Sequence, residues 1–480
     1  MKEKKDFGAV VVGSGPNGLA AAITLQQQGI DVLLIESHDK IGGGMRTAAL
    51  TLPGFQHDIC SAIHPMAALS PFFSSLPLED FGLQYLYPDV AAAHPFDDGT
   101  AAVLTASLDQ TAASLGTDGA AYRRLLHPVI EDWNSINREV LGPLGWPRNP
   151  FALAAFGWKA IQPATSIARR FTGIHARGLW AGMAAHSIRP LEAPLTAAIG
   201  IVLMTAAHIK GWPVPLGGSA SIAKALGGYF ESIGGTIQTG TTVRSLQDLP
   251  SSQAVLFDLS PRQLLAIAGH RFSSTYRHQL EKYRYGMGVF KMDWALDGPV
   301  PFRAAACREA GTVHIGGSLE EIAAAEAATA KGQLPDKPFV LLAQQSLFDP
   351  SRAPEGKHTL WAYCHVPNGS GEDRSAAIEA QIERFAPGFR ERILARHVMD
   401  TAAMEAYNPN YVGGDINGGQ LDAGQLFTRP ALRWSPYRSS ARGIYICSAS
   451  TPPGGGVHGM GGYHAARRAL SDIFGIRLPF

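Results

Sequence analysis

Cysteine is scarce in this chain of 480 residues, and the four present, Cys60, Cys307, Cys364 and Cys447, lie far apart. None forms a C-x-x-C pair, so the local sequence offers neither a dithiol redox motif nor a zinc ribbon. That usage fits a reduced, cytoplasmic protein. Charge of one sign is lacking too: 41 Lys and Arg against 40 Asp and Glu leave a net +1. Without a basic surplus, no nucleic-acid partner is expected. The longest apolar run, APLTAAIGIVLMTAAH at 193–208, falls short of the ~20 residues of a spanning helix. It reads as a buried core helix; a helix resting in a membrane interface is the alternative, which leaves peripheral membrane contact open. The charged start MKEKKDF leads into only four apolar residues, 9–12, too few for a signal-peptide core. Metal-ligand spacing such as H-E-x-x-H is missing, so no metal is expected. Internal repeats and low-complexity tracts are missing as well.

What is abundant is apolar side chain and glycine. With 46% hydrophobic residues, a chain of this length exceeds the usual limit of one core, so two domains sharing a large interior are expected. Glycine gathers at two places. In the first, the small, β-branched stretch 9–12 runs into Gly13-Ser14-Gly15-Pro16-Asn17-Gly18, then the helix-like LAAAITLQQQG, then the strand-like IDVLLIE ending at Glu36. This is a complete strand–turn–helix–strand unit. Gly13 allows the tight turn, Gly15 lets a pyrophosphate approach the backbone, and Gly18 lets helix and sheet pack closely. The helix N-terminus offers free N–H groups to phosphates. Glu36 stands 18 positions after Gly18, where a carboxylate bonds a ribose hydroxyl and repels a 2′-phosphate. A further run, Ile41-Gly42-Gly43-Gly44-Met45-Arg46-Thr47, reads as a second wall of the same dinucleotide site, with Arg46 able to neutralise phosphate charge.

The second cluster, Gly454, Gly456 and Gly459 after IYICSAS, also satisfies G-x-G-x-x-G. Only 21 residues follow Gly459, ending GIRLPF, with no room for a second strand and no acidic residue at its end. It is therefore not a second nucleotide fingerprint. YHAARRALSDIF still reads as a helix, and a helix N-terminus can stabilise negative charge on an electron-accepting ring. The two ends of the chain thus read as halves of one flavin site.

The combination of VVVGSGPNGLAAA, IESHDKIGGGMRT and IYICSASTPPGGGVHGMGGYHAA resembles the phytoene desaturase-like FAD-dependent oxidoreductases, a carotenoid-desaturase-related family. The resemblance runs through most of the chain. It implies an α/β fold, a Rossmann-like FAD-binding domain of the glutathione-reductase and amine-oxidase type with an interleaved α+β substrate domain. The FAD-binding pieces would be 1–64, 214–270 and 436–480, and the substrate domain 65–213 and 271–435. By the same resemblance, Gly13, Gly15, Gly18 and Glu36 hold the adenosine diphosphate part of FAD, with Pro16, Asn17 and Ser37 beside them. Gly43, Gly44 and Arg46, with Met45 between them, line the pyrophosphate and ribityl region. Val243 contacts adenine through its backbone, and Ala449, Gly459 and Met460 lie along the ribityl chain and flavin. Ser448 departs from the family's frequent glycine; its side chain would narrow the approach or bond a phosphate.

No compact acid–base pair is visible. His458, inside the C-terminal glycine loop, and His64, after ICSAI, are the candidates for proton transfer, each weighed against a satisfied structural histidine. Tyr463 and His464 read as packing on the last helix, His57 and Asp58 as a turn pair, and EEIAAAEAATAKGQ at 320–333 as a solvated helix. The leading expectation is a dehydrogenase or desaturase moving hydride from an apolar, isoprenoid- or lipid-like small molecule to FAD, with oxygen or a quinone as electron acceptor. An FAD amine oxidase, a non-redox flavin-dependent isomerase and a non-enzymatic flavoprotein are the alternatives. A homodimer is left open.

Overall fold

A computed structural model describes residues 6–143, 145–426 and 428–478. Most of the charged start, residues 1–5, lies outside the described residues, as do the last two.

The chain opens with β1 (Phe7–Val12), α1 (Pro16–Gln26) and β2 (Val32–Ile35). Every residue of α1 from Leu19 to Leu25 is buried, so the helix is apolar all round because it is wrapped on all sides. Next come β3 (Val90–Pro95), β4 (Ala101–Thr105), α2 (Pro150–Ala160), α3 (Ile174–Ala185) and α4 (Thr196–Lys210). The middle of the chain adds α5 (Ala220–Ser232), β5 (Thr236–Gln238) and β6 (Ser252–Phe257). Then follow β7 (Gly288–Leu296), β8 (Ala310–Ile315), α6 (Leu319–Ala330), β9 (Val340–Ala343), β10 (His358–Val366) and β11 (Ile393–Met399). The last strand and helix of the site are β12 (Ile444–Ile446) and α7 (Met460–Ala469).

These strands form two sheets. The first has the order β12–β6–β1–β2–β5 and is parallel throughout. Its strands are nearly all aliphatic, as expected where both faces are covered. The second has the order β11–β7–β10–β9–β8–β3–β4 and is mainly antiparallel, with β8 and β3 parallel. Its two faces differ. Phe290, Met292, Trp294, Val313, Leu342 and Cys364 belong to one apolar core. The alternate residues Lys291, Asp293, Thr312, His314, Trp361 and Tyr363 are buried on the other face.

Two expectations need correction, and the buried-core reading of the 193–208 run holds. The strand expected through TIQTGTTV stops at Gln238. Gly240, at φ 64°, turns the chain back so that the Thr241 N–H donates to the Glu36 carbonyl at 2.9 Å. The helix expected to be solvated, α6, buries Ile322, Ala323, Ala325, Glu326 and Thr329; Glu326 faces His365 Nδ1 at 2.8 Å. Alanine there serves close packing against α3 rather than solvent. The 193–208 run is mostly core: Ala197, Gly200, Ile201, Met204, Ala206 and Ala207 of α4 are buried. The exposed apolar helix is α2 instead, where Phe151 is 87% and Trp158 75% exposed. No helix among the described residues is long and apolar enough to cross a membrane.

Candidate functional site

The first sheet ends in a turn that only glycine can make. Gly13 has φ 98°, and a Cβ on Gly18 would stand 1.9 Å from the Gly13 carbonyl oxygen. Gly18 therefore sets the approach of α1 to β1, and it lies behind the cavity wall. In front of the turn opens a cavity of about 530 Å³. Gly13, Gly15, Pro16, Asn17, Glu36 and Ser37 line one end. The Glu36 carboxylate closes β2 there and is buried. Its Oε2 accepts hydrogen bonds from the Ser14 N–H at 3.0 Å and the Ser14 hydroxyl at 2.5 Å. Its Oε1 accepts from the His38 N–H at 2.9 Å.

The second glycine run folds against the first. A Cβ on Gly43 would lie 2.9 Å from Gly15 Cα, so the two backbones meet with no room for a side chain. Arg46 is buried beside them. Its Nε donates to the Gly43 carbonyl at 2.9 Å, its Nη2 to the Tyr407 carbonyl at 3.3 Å, and its guanidinium sits 4.4 Å from the Tyr407 ring centre. Nη1 is buried without a protein partner. A buried cationic donor with one unpaired arm calls for an anion. Together with the glycine cradle it fits the diphosphate of a dinucleotide.

The tail completes the cavity. Ser448, Ala449, Ser450, Gly456 and Val457 line it. Gly459 and Met460, expected along the flavin, do not. A Cβ on Gly459 would lie 2.9 Å from the Ala20 side chain, and Met460 is buried in the core. The tail contact thus falls two to three residues earlier than expected, because α7 packs on α1 from its first turn. Met45 and Val243 are likewise core residues, and Thr242 lines the cavity in place of its neighbour.

The two histidines differ in availability. His458 is buried; its Nδ1 accepts from the Met460 N–H at 3.0 Å, and the ring also bonds the carbonyls of Gly454 and Gly455. Burial lowers its pKa to about 4. These contacts tie the glycine loop to the start of α7. His64 lines the cavity, and its Nε2 lies 2.7 Å from the Ser219 hydroxyl. That hydroxyl donates to the Ser61 carbonyl at 2.6 Å, so it accepts from His64 Nε2–H. Nδ1 is left as a bare acceptor, buried and unpartnered. Burial lowers the pKa of His64 to about 4 as well, so the ring is neutral at pH 7.

His57 and Asp58 are more than a turn pair. Asp58 is fully buried and ion-paired to Arg352 at 2.8 Å, and the Ser219 N–H donates to it at 2.8 Å. His464 stacks on Tyr437, and Tyr463 packs at a tilt against Phe72. Among the described residues no group of His, Cys, Asp and Glu could hold a metal.

Much of the wall lies outside the residues predicted for the site. Asp258 follows β6 and accepts from the Gly18 N–H at 2.8 Å. Its place just past the carboxyl end of a parallel strand is where ligands sit in such sheets, so AVLFDLS carried the signal. Tyr407, Asn410 and Tyr411, on a turn rich in Asn and Pro, and Trp361 and Tyr363 on β10 also line the cavity. Nothing local in the sequence marks these.

Comparisons with known proteins agree with this geometry. Residues 11–76 match the NAD(P)-binding Rossmann-like domain family. Over 98% of this chain and 94% of its own length, the mouse pyridine nucleotide-disulfide oxidoreductase domain-containing protein 2 is 25% identical. The neurosporene-forming phytoene desaturase of Rhodobacter capsulatus is 24% identical over 94% of this chain and 91% of its own. The fold of putrescine oxidase bound to putrescine superposes with a TM-score of 0.63 at 16% identity, covering 98% of this chain and 100% of that one. Over nearly its whole length the chain is similar to carotenoid-desaturase-related oxidoreductases, and FAD is its cofactor.

Proposed function

We propose that this oxidoreductase is a dehydrogenase or desaturase acting on an apolar, isoprenoid- or lipid-like small molecule. The observation that carries the reading is where charge lies in the cavity. Its Asp, Glu, Lys and Arg lining, among the described residues, is Glu36, Arg46 and Asp258, all at the nucleotide end. The opposite end is mainly apolar, with Leu203, Trp212, Leu341, Trp361 and Tyr363 beside the uncharged Thr312 and the imidazole of His186. An apolar wall of this kind binds by area and shape, and it gives an ammonium group no carboxylate to pair with.

In this reading Glu36 bonds the ribose and Arg46 Nη1 the diphosphate, while the tail at Ser448, Ala449, Gly456 and Val457 borders the ring. When bound, FAD supplies a two-electron acceptor for hydride. The apolar end orients the C–H bond and excludes water. His64, in the cavity wall with Nδ1 unpaired, would accept a hydrogen bond from the substrate, its low basicity making it a weak base. Oxygen or a quinone would take the electrons onward.

A second reading, amine oxidation, is favoured by one feature: the Trp361 and Tyr363 rings stand edge to face at 5.1 Å in the cavity wall. Lys291, whose Nζ lies 5.9 Å from the Trp361 ring centre, is ion-paired with Asp293.

The test is anaerobic mixing of the holoenzyme with terpenoid, fatty and amine compounds while following flavin absorbance. Bleaching by an apolar C–H donor supports the proposal. Bleaching by amines alone replaces it with the second reading, and no bleaching by any compound overturns both.

We also propose that α2 rests on a lipid surface. Phe151, Ala154, Ala155, Trp158 and Ile161 are exposed at helical spacing, and Trp146 precedes them at 99% exposed. Such a stripe with an interfacial tryptophan suits the headgroup boundary. Arg170, close enough to Lys159 to lower its pKa, supplies cationic charge for anionic lipid.

A further inference from the structure

The apolar end of the cavity holds polar atoms that its wall leaves unpaired. Thr312 on β8 and Trp361 on β10 are 1% and 5% exposed, and both line the cavity. Thr312 Oγ1 and Trp361 Nε1 have no hydrogen-bond partner. They stand in one cross-strand row, Thr312 opposite Ala343 and Ala343 opposite Trp361. Side chains in such a row share a face. Ala343 carries only a methyl group, so no other polar side chain stands in the row between the two.

Two residues along β8 from Thr312, His314 faces His186, which also lines the cavity; their Nε2 atoms are 2.9 Å apart. One of the two must donate. His314 Nδ1 is buried and unpartnered, and a bare lone pair there costs less than an orphaned N–H. His314 therefore donates from Nε2, and His186 carries its own N–H at Nδ1. Trp361 can only donate, and Thr312 can donate or accept. The inner end is thus rich in donors, while natural interiors seldom leave buried polar groups unpaired.

We infer that the substrate carries an acceptor oxygen, a carbonyl or hydroxyl on an otherwise apolar skeleton, which seats between Thr312 and Trp361 with the His186–His314 pair beside it. This inference rests on the apolar-substrate reading above and narrows it from hydrocarbons to oxygenated molecules.

The test uses the FAD-loaded protein and three probes of one skeleton, menthane, menthol and menthone, titrated while following perturbation of the flavin spectrum. In the wild type, menthone and menthol should bind about five- to tenfold more tightly than menthane, the size of one or two neutral hydrogen bonds. Thr312→Val and Trp361→Phe, which keep shape, should each remove most of that preference and leave menthane binding unchanged. Thr312→Ser should retain it. Equal binding of the three probes in the wild type would overturn the oxygen anchor while leaving the apolar-substrate reading intact. So would valine and serine variants that weaken all three alike. Failure of every probe to bind would overturn both.

Discussion

Asn17, in the first turn of α1, and Gly462, in the first turn of α7, touch across the whole length of the chain. The Gly462 N–H donates to Asn17 Oδ1 at 3.3 Å, and a Cβ on Gly462 would stand 1.8 Å from the Asn17 carbonyl oxygen. The front and the tail are therefore locked at backbone distance, which holds the C-terminal loop over the nucleotide turn. Gly462→Ala should force the two helices apart, destabilise the fold by about 1–3 kcal/mol and weaken FAD binding. Thermal unfolding and flavin content measured together check this; an alanine variant with unchanged melting and flavin would refute the contact.

Glu36 should be the residue whose loss is felt most at the nucleotide. Glu36→Arg removes the acceptor for Ser14 and for ribose, and brings a bulky cation to the same place. A lost hydrogen bond to a charged group is worth ~1.5–3 kcal/mol, or about ten- to a hundredfold in affinity. Isothermal titration with FAD should show at least that weakening in a folded variant; wild-type affinity would remove Glu36 from the site.

Asp258 should make FAD binding depend on pH. Burial raises its pKa to about 7, with Glu36 adding to the rise and the Gly18 N–H opposing it. Below that value the carboxyl is neutral; above it, a negative charge stands in the wall of a cavity that must take a diphosphate. FAD affinity should therefore fall as pH rises through about 7, and Asp258→Asn should bind with a flatter profile. Identical profiles for the two proteins would contradict this.

Contact of α2 with lipid can be read by flotation with vesicles containing phosphatidylglycerol. The wild type should float, and a Phe151→Ser, Trp158→Ser double variant should stay with the unbound fraction at unchanged stability. Equal flotation of both would sink the proposal.

The nucleotide end of the site was legible in the sequence because its determinants are local. Gly13 and Gly18 form one turn, Glu36 ends the next strand, and each function needs its residue at a set spacing. The tail was legible as a partner but misplaced by two to three residues, since Gly456 and Val457 become wall only once α7 has docked on α1. The substrate end was not legible. Thr312, Trp361 and His186 come from β8, β10 and the end of α3, and their meeting depends on strand register and on Gly182. A Cβ on Gly182 would lie 2.7 Å from His314 Nδ1, so that glycine lets α3 settle on the sheet. His458 looked available from its place in a glycine loop, yet the fold uses its ring to tie that loop down.

FAD uptake by the purified protein tests the shared site most directly. Titration of cofactor-stripped, folded wild type should restore the yellow flavin spectrum at one FAD per chain, while Gly462→Ala and Glu36→Arg, altered at opposite ends of the chain, both bind more weakly. A folded wild-type protein that stays colourless with added FAD, or variants at either end that bind it as tightly as the wild type, would contradict a single site shared by the two ends.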